Sequence, residues 1–171
     1  MPLFDGWKVC PRCGGQLTHG DSLVECHACG FAHYAHSAVT ASALPEEDGR
    51  VLLARRALEP FRGAWDVVGG FVGEGEHPVD GLIREVREET GLGFEIARLL
   101  GIWMGDYEGR ATLNLFWTGR LGPGRPQPAD DVDELRWFAP EDLPPPSELA
   151  FDGLMHEVLT AWRSHPSNEE R

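Results

Sequence analysis

Residues 70–92 read GFVGEGEHPVDGLIREVREETGL, and the fold of the chain turns on this stretch. Proline suits the first turn of a helix and glycine its end. A helix is therefore predicted from about Pro78 to Thr90, closed by Gly91 in a left-handed conformation. Val79, Leu82, Ile83 and Val86 then form the buried stripe. At about 100° per residue, Glu85, Glu88 and Glu89 gather on a different face, related as i, i+3 and i+4.

Three converging carboxylates are unfavourable by themselves. Like charges at this spacing repel by about 0.2–0.5 kcal/mol per pair, and in the last turn the helix dipole disfavours Glu88 and Glu89 by about 0.3–1 kcal/mol. Arg84 can reach Glu88 at i+4, but one arginine does not neutralise three glutamates. A bound divalent cation is the natural counter-charge, and an all-oxygen donor set points to magnesium or manganese. Gly81, on the face of Glu85, costs about 1 kcal/mol relative to alanine but leaves room there for a substrate to approach. A solvated acidic face is the other reading of such a trio. The residues around it decide against that reading.

Gly70 is followed after five residues by Glu76, then after seven by Arg84-Glu85, aliphatic Val86, Glu88-Glu89, Gly91 and aliphatic Leu92. With usage of roughly one in fifteen per residue type, a chance match at the positions that demand one residue is on the order of 10⁻⁸ per register. The stretch resembles the signature of the Nudix hydrolases, which cleave nucleoside diphosphates linked to another group. The resemblance extends upstream, where Arg55 and Arg56 precede Gly63-Ala64-Trp65 and the Gly69-Gly70 pair. Members of this family often carry an arginine-bearing segment, Gly-x-Trp and Pro-Gly-Gly; here Val68 stands at the proline position. Glycines there let backbone approach a phosphate closely, so Gly69, Gly70, Arg55 and Arg56 are candidate substrate-binding residues, with solvated surface charge the alternative for the two arginines.

Composition agrees with a small enzyme. The 171 residues suffice for one domain plus an accessory module. Net charge −13 and a pI near 4.8 argue against a long nucleic acid as partner. No apolar run is long enough to cross a bilayer, and MPLFDGWKVC lacks a basic segment followed by an apolar one. A cytoplasmic location is expected.

All four cysteines lie near the start, as Cys10-Pro-Arg-Cys13-Gly14 and Cys26-His-Ala-Cys29-Gly30. Paired Cys-x-x-Cys knuckles can place four thiolates tetrahedrally about zinc, with the glycines permitting the tight turns. Two disulfides or free thiols are the alternative. His19, His27, His33 and His36 lie nearby, but four cysteines already fill a closed, structural site. FAHYAH, residues 31–36, is expected to link this zinc ribbon to the first strand of the next domain.

The remaining elements follow in order. SAVTASAL, a turn in PEEDGR and VLLAR read as a hairpin. FEIARLLGIWMGDYE and ATLNLFWTGRL read as two strands joined around Glu108-Gly109-Arg110. GPGRPQPADDVDE is an exposed loop and a candidate lid. The family commonly draws a further carboxylate from such a loop, for which Asp130, Asp131, Asp133 and Glu134 all qualify by position. LRWFAP reads as a strand, and Phe151, Leu154, Met155, Val158, Leu159 and Trp162 recur at helical spacing.

The resemblance implies an α/β fold, the Nudix α/β/α sandwich with a mixed β-sheet. Residues 1–36 would form the zinc ribbon, 37–165 the hydrolase domain and 166–171 a flexible tail. It implies Mg²⁺ or Mn²⁺ on Glu85, Glu88 and Glu89, with Glu76 (and less so Glu74) for a second ion or the loop, Arg84 orienting a glutamate, and structural Zn²⁺ on Cys10, Cys13, Cys26 and Cys29. The partner would be a small nucleotide, with no membrane, and a homodimer is a candidate assembly. A zinc ribbon ahead of this signature is similar to two groups, the NADH pyrophosphatases and shorter enzymes acting on ADP-ribose or FAD. The Ser-Gln-Pro-Trp segment of the NADH group is absent between Phe94 and Pro146, whereas ELRWFAPEDLPPPSELAFDG resembles the shorter group. ADP-ribose or FAD, cleaved to release AMP, is the expected substrate. NADH or nucleoside triphosphates are the alternatives, and a non-catalytic nucleotide sensor is a reading of another class.

Overall fold

The computed structural model describes residue 4 and residues 6–164; the tail expected at 166–171 lies outside them. The chain divides into two compact units. One comprises the residues up to Ala38 with Asp106–Thr112, the other Val39–Gly105 with the residues from Leu113 onward.

In the first unit, strands β1 (Thr18–His19), β2 (Leu23–Cys26) and β3 (Phe31–Tyr34) form a small antiparallel sheet. FAHY is thus not a linker. It pairs with β2 from Leu23–Tyr34 to Cys26–Phe31, because the turn at the second cysteine knuckle folds the chain straight back onto β2.

The second unit is built on a sheet of strands β4 (Ala38–Glu47), β5 (Arg50–Arg56), β6 (Trp65–Asp66), β7 (Val68–Phe71), β8 (Phe94–Tyr107), β9 (Arg110–Leu121) and β10 (Val132–Phe138). The main path runs β10-β5-β4-β9-β8, with β6 on β5 and β7 on β4. Helices α1 (Pro78–Thr90) and α2 (Asp152–Arg163) complete it. The first hairpin is tighter than expected: β4 continues through Pro45-Glu46-Glu47, and only Asp48-Gly49 turns, at φ 50° and 70°. Two successive positive φ values match the right-handed twist of the flanking strands.

Strand β5 shows why the sheet needs both helices. Val51, Leu52, Leu53 and Ala54 are all buried, although alternate side chains point to opposite faces. Val51 and Leu53 pack with Met155, Val158, Leu159 and Trp162 of α2. Leu52 and Ala54 pack with Leu82 and Val86 of α1. A strand covered on both faces reads as a continuous apolar run rather than an alternating one. This is the expected sandwich.

Helix α1 has the predicted ends. Its first turn is capped by the His77 side chain, which accepts from Val79 N, with Pro78 next; Gly91, at φ 75°, closes it. The buried stripe differs by one residue. Leu82 and Val86 are fully buried, but Ile83 is 38% exposed, because the stripe continues through Glu89 and Thr90 rather than turning toward Ile83. Leu82→Ala should therefore destabilise the chain by about 2–5 kcal/mol in denaturant unfolding. Ile83→Ala should cost about 1 kcal/mol or less, and an equal loss at both positions would contradict this packing.

Candidate active site

The signature glutamates leave α1 in two directions. Arg84 collects the outer ones. Its Nε and Nη2 donate to the two oxygens of Glu76 at 2.9 and 3.0 Å, and its Nη1 donates to Glu85 at 2.7 Å and Glu88 at 2.9 Å. Nη2 also reaches the Phe71 carbonyl at 3.2 Å. Glu76 accepts in addition from Gly73 N at 2.8 Å. The Arg84 bonds, with that amide, hold the Glu76 carboxyl down at about 2. Gly81 does not open a path for substrate as expected: a Cβ there would lie 3.0 Å from Glu76 Oε2, which fills the space.

Glu89 points the other way, into the protein, where it is 5% exposed and accepts from Gly69 N at 3.0 Å. Burial pushes its carboxyl up to about 9, and the charges of Asp131, Glu85 and Asp66 add to the effect. Glu85 is raised as well, chiefly by burial and against the pull of Arg84. The two glycines of β7 make this close approach practicable. A Cβ on Gly69 would meet the backbone of β4 at 2.4 Å, and Gly69 has φ 144°; a Cβ on Gly70 would meet the Glu85 carboxylate at 2.7 Å. Both glycines thus already serve the protein's own contacts.

The acidic loop before β10 is pinned where α1 ends. The last carbonyls of a helix have no partner within it; here Gln127 N donates to Thr90 O at 2.9 Å and Ala129 N to Glu89 O at 3.2 Å. Of the four carboxylates that the loop offered, Asp131 is the one whose charge acts on both Glu85 and Glu89. Glu134 instead pairs with Arg136, and with Arg55 at 3.6 Å.

Asp66, at the end of β6, joins the group without any signal in the sequence beyond its place before Gly69-Gly70. It is raised by burial, opposed by Arg56, which it meets at 3.2 Å in a largely buried pair. Arg56 also donates to the Pro60 carbonyl at 2.8 Å, and Arg55 to the Gly63 carbonyl at 2.9 Å. Neither candidate phosphate-binding arginine is a simple solvated charge.

Glu85, Glu89, Asp131 and Asp66 thus lie near enough for their charges to act on one another, and oxygen donors of this kind suit a hard cation. Their oxygens are not drawn up as tightly as the cysteine sulfurs. Among the described residues only Cys10, Cys13, Cys26 and Cys29 hold their ligand atoms all within 4.8 Å of one another. Cys10 and Cys29 sulfurs lie 3.7 Å apart, Cys13 and Cys26 3.6 Å. A disulfide needs about 2.05 Å, and all four thiols are free. Zinc–sulfur bonds of about 2.3 Å give tetrahedral edges of about 3.8 Å, so the cluster fits zinc. Three of the four nearby histidines find other partners: His33 stacks on Trp7 at 5.8 Å, His19 meets the Trp7 carbonyl at 2.8 Å, and His36 the Tyr34 carbonyl at 3.0 Å. No helix among the described residues is long and apolar enough to cross a membrane.

Comparison with known proteins places this geometry. The NUDIX domain model matches residues 35–159. The chain is 35% identical over 129 residues to the ADP-ribose pyrophosphatase of Methanocaldococcus jannaschii, covering 74% of this chain and 72% of that protein. It is 29% identical over 164 residues to the NAD-capped RNA hydrolase NudC of Vibrio vulnificus, covering 92% of this chain but only 61% of that relative's length. A NUDIX hydrolase from Nitrosomonas europaea superposes with a TM-score of 0.74 at 27% identity, over 93% of this chain and 94% of that one. With the family model matched over most of its length and the signature glutamates set on α1 against β7, this chain belongs to the Nudix hydrolase family.

Proposed function

We propose that the chain is a magnesium-dependent hydrolase of the pyrophosphate bond in a nucleoside diphosphate linked to another group, with ADP-ribose or FAD as substrate and AMP as a product. The observation that carries this reading is the buried Glu89 carboxylate beside the Gly69-Gly70 strand, which is bonded to the Gly69 amide and, among the described residues, to no cationic side chain, and on which the charges of Asp131, Glu85 and Asp66 act. The name of the archaeal relative, ADP-ribose pyrophosphatase, favours that substrate.

Glu85, Glu88 and Glu89, joined by Asp131, would hold Mg²⁺ or Mn²⁺. When bound, the ion supplies charge for the pyrophosphate oxygens and makes a water a better nucleophile. Arg84 fixes the carboxylates of Glu76, Glu85 and Glu88 in one fork of charge-assisted bonds. Glu76, engaged at both oxygens, then anchors the loop before α1. Gly69 N–H orients Glu89 from the opposite side. Asp66 and Arg56 support the floor of the site. In the first unit, Cys10, Cys13, Cys26 and Cys29 would hold a structural Zn²⁺.

Chromatographic product analysis with Mg²⁺ over ADP-ribose, FAD, NADH and nucleoside triphosphates tests the reading directly. AMP release, fastest from ADP-ribose or FAD, is expected; nucleotide binding with no turnover under any metal would leave only a sensor. Glu89→Gln should lower kcat by more than about 100-fold, and Arg84→Ala by roughly 10–100-fold, the usual loss when a partner orienting metal ligands is removed.

Stability should respond to pH through Glu89. Its carboxyl shifts from an ordinary 4.5 to about 9 on folding, so between these values the folded chain keeps a proton that the unfolded chain has released. With no added magnesium, thermal stability should therefore fall as pH rises from about 5 to about 9, and Glu89→Gln should flatten the decline. Metal analysis should find one zinc per chain, lost in Cys26→Ser. Because binding to such a site is folding free energy, zinc removal should expose the backbone amides of residues 9–35 to hydrogen exchange.

A further inference from the structure

Two phenylalanines hold left-handed backbone conformations, Phe61 at φ 66° and Phe151 at φ 48°. For a bulky side chain this is a genuine outlier. Their rings meet with centroids 4.6 Å apart, tilted by 60°. Burial does not offset the strain: Phe61 remains 45% exposed, and nearby Leu58 58%. Strain of this kind persists only where the surroundings over-determine it, and it concentrates at ligand sites.

The position of the pair says which ligand. The Arg56 guanidinium lies 5.7 Å from the centre of the Phe151 ring. That same group holds Asp66 at 3.2 Å and the Pro60 carbonyl at 2.8 Å. The next amide, Ala57 N, donates to the Asp131 carbonyl at 2.8 Å. The loop bearing Phe61 is thus tied at its base to Asp66 and Asp131, whose charges act on Glu89. The exposed Phe61 ring thus stands on a loop that Arg56 ties to Asp66, and packs on Phe151, the ring that the same guanidinium faces.

We propose that the exposed face of Phe61, backed by Phe151, is the platform on which the nucleobase of the substrate stacks. The proposal rests on the nucleotide-hydrolase reading and adds the residue that recognises the base. Flat aromatic rings accept any base through its π face. The left-handed backbone and the Phe151 ring hold Phe61 in place before the ligand arrives, so little side-chain freedom is lost on binding.

Isothermal titration calorimetry with Mg²⁺ on the full chain tests this, using AMP and ribose 5-phosphate, the two halves of ADP-ribose. Phe61→Ala should weaken AMP binding by about tenfold or more, the usual consequence of removing a stacking ring. Ribose 5-phosphate affinity should not change, and Phe61→Tyr should bind AMP as the wild type does. Phe61→Gly separates binding from folding, because glycine accepts the φ value without strain. It should melt at or near the wild-type temperature and still lose AMP. Equal AMP affinity in the wild type and Phe61→Ala, equal loss for both ligands, or no AMP binding by the wild type would each overturn the platform. ADP-ribose hydrolysis by the same wild-type sample is the separate readout. A chain that binds AMP through Phe61 yet cleaves nothing would sink the hydrolase reading and leave the platform standing.

Discussion

The half of the second unit that holds the candidate site depends on one buried carboxylate. Glu89 sits in the last turn of α1, where the helix dipole already disfavours it, and is then taken out of water. The protein compensates only in part. One amide, Gly69 N–H, faces it from β7, and that bond is made where Gly69 itself approaches β4 closely enough to exclude any side chain. Helix, glycine strand and acidic loop all meet at this residue, through Gly69 N–H on its side chain and Ala129 N–H on its carbonyl. The loop amides that finish the helix, at Gln127 and Ala129, are also what bring Asp131 to the site.

A gradient of solvation runs across the signature face of α1. On the outside, Arg84 forks between Glu76, Glu85 and Glu88 and keeps Glu76 ionised well below the usual range. On the inside, Glu89 and Asp66 lie in a dry environment that favours their protonated forms. Glu85 stands between the two regimes, bonded to Arg84 yet raised by burial. Three glutamates close in sequence therefore have unequal roles. Glu88 is held at the surface by an i,i+4 pair, whereas Glu89 carries the largest electrostatic demand for a cation.

The other face of the sheet provides rigidity. Helix α2 buries Met155, Val158, Leu159 and Trp162 against alternate residues of β5, and Trp162 Nε1 donates to Glu46 at 2.8 Å. The chain before α2 adds a parallel bridge between Trp65 and Leu149, and Ala150 N donates to Trp65 O at 2.8 Å. Trp65 precedes Asp66 directly. Packing beneath the sheet thus fixes the strand that carries the buried acid, and the same segment leads into Phe151.

Local chemistry in the sequence determined α1 from Pro78 to Gly91, the grouping of its glutamates, the cysteine knuckles, the hairpins and the apolar stripe of α2. Each is set by periodicity, turn residues or fixed spacing over a few residues, which the chain carries within itself. Only the tertiary structure decided what depends on distant partners. FAHY became a strand because β2 offered an edge, and Ile83 stayed at the surface because the sheet met α1 along Leu82, Val86 and Glu89. The room at Gly81 was taken by Glu76, from the loop before the helix. Asp131 was singled out from four similar acids, and Asp66 recruited, by contacts that cross the fold. Charge and burial act through space, so which carboxylates share a site is settled by packing rather than by position along the chain.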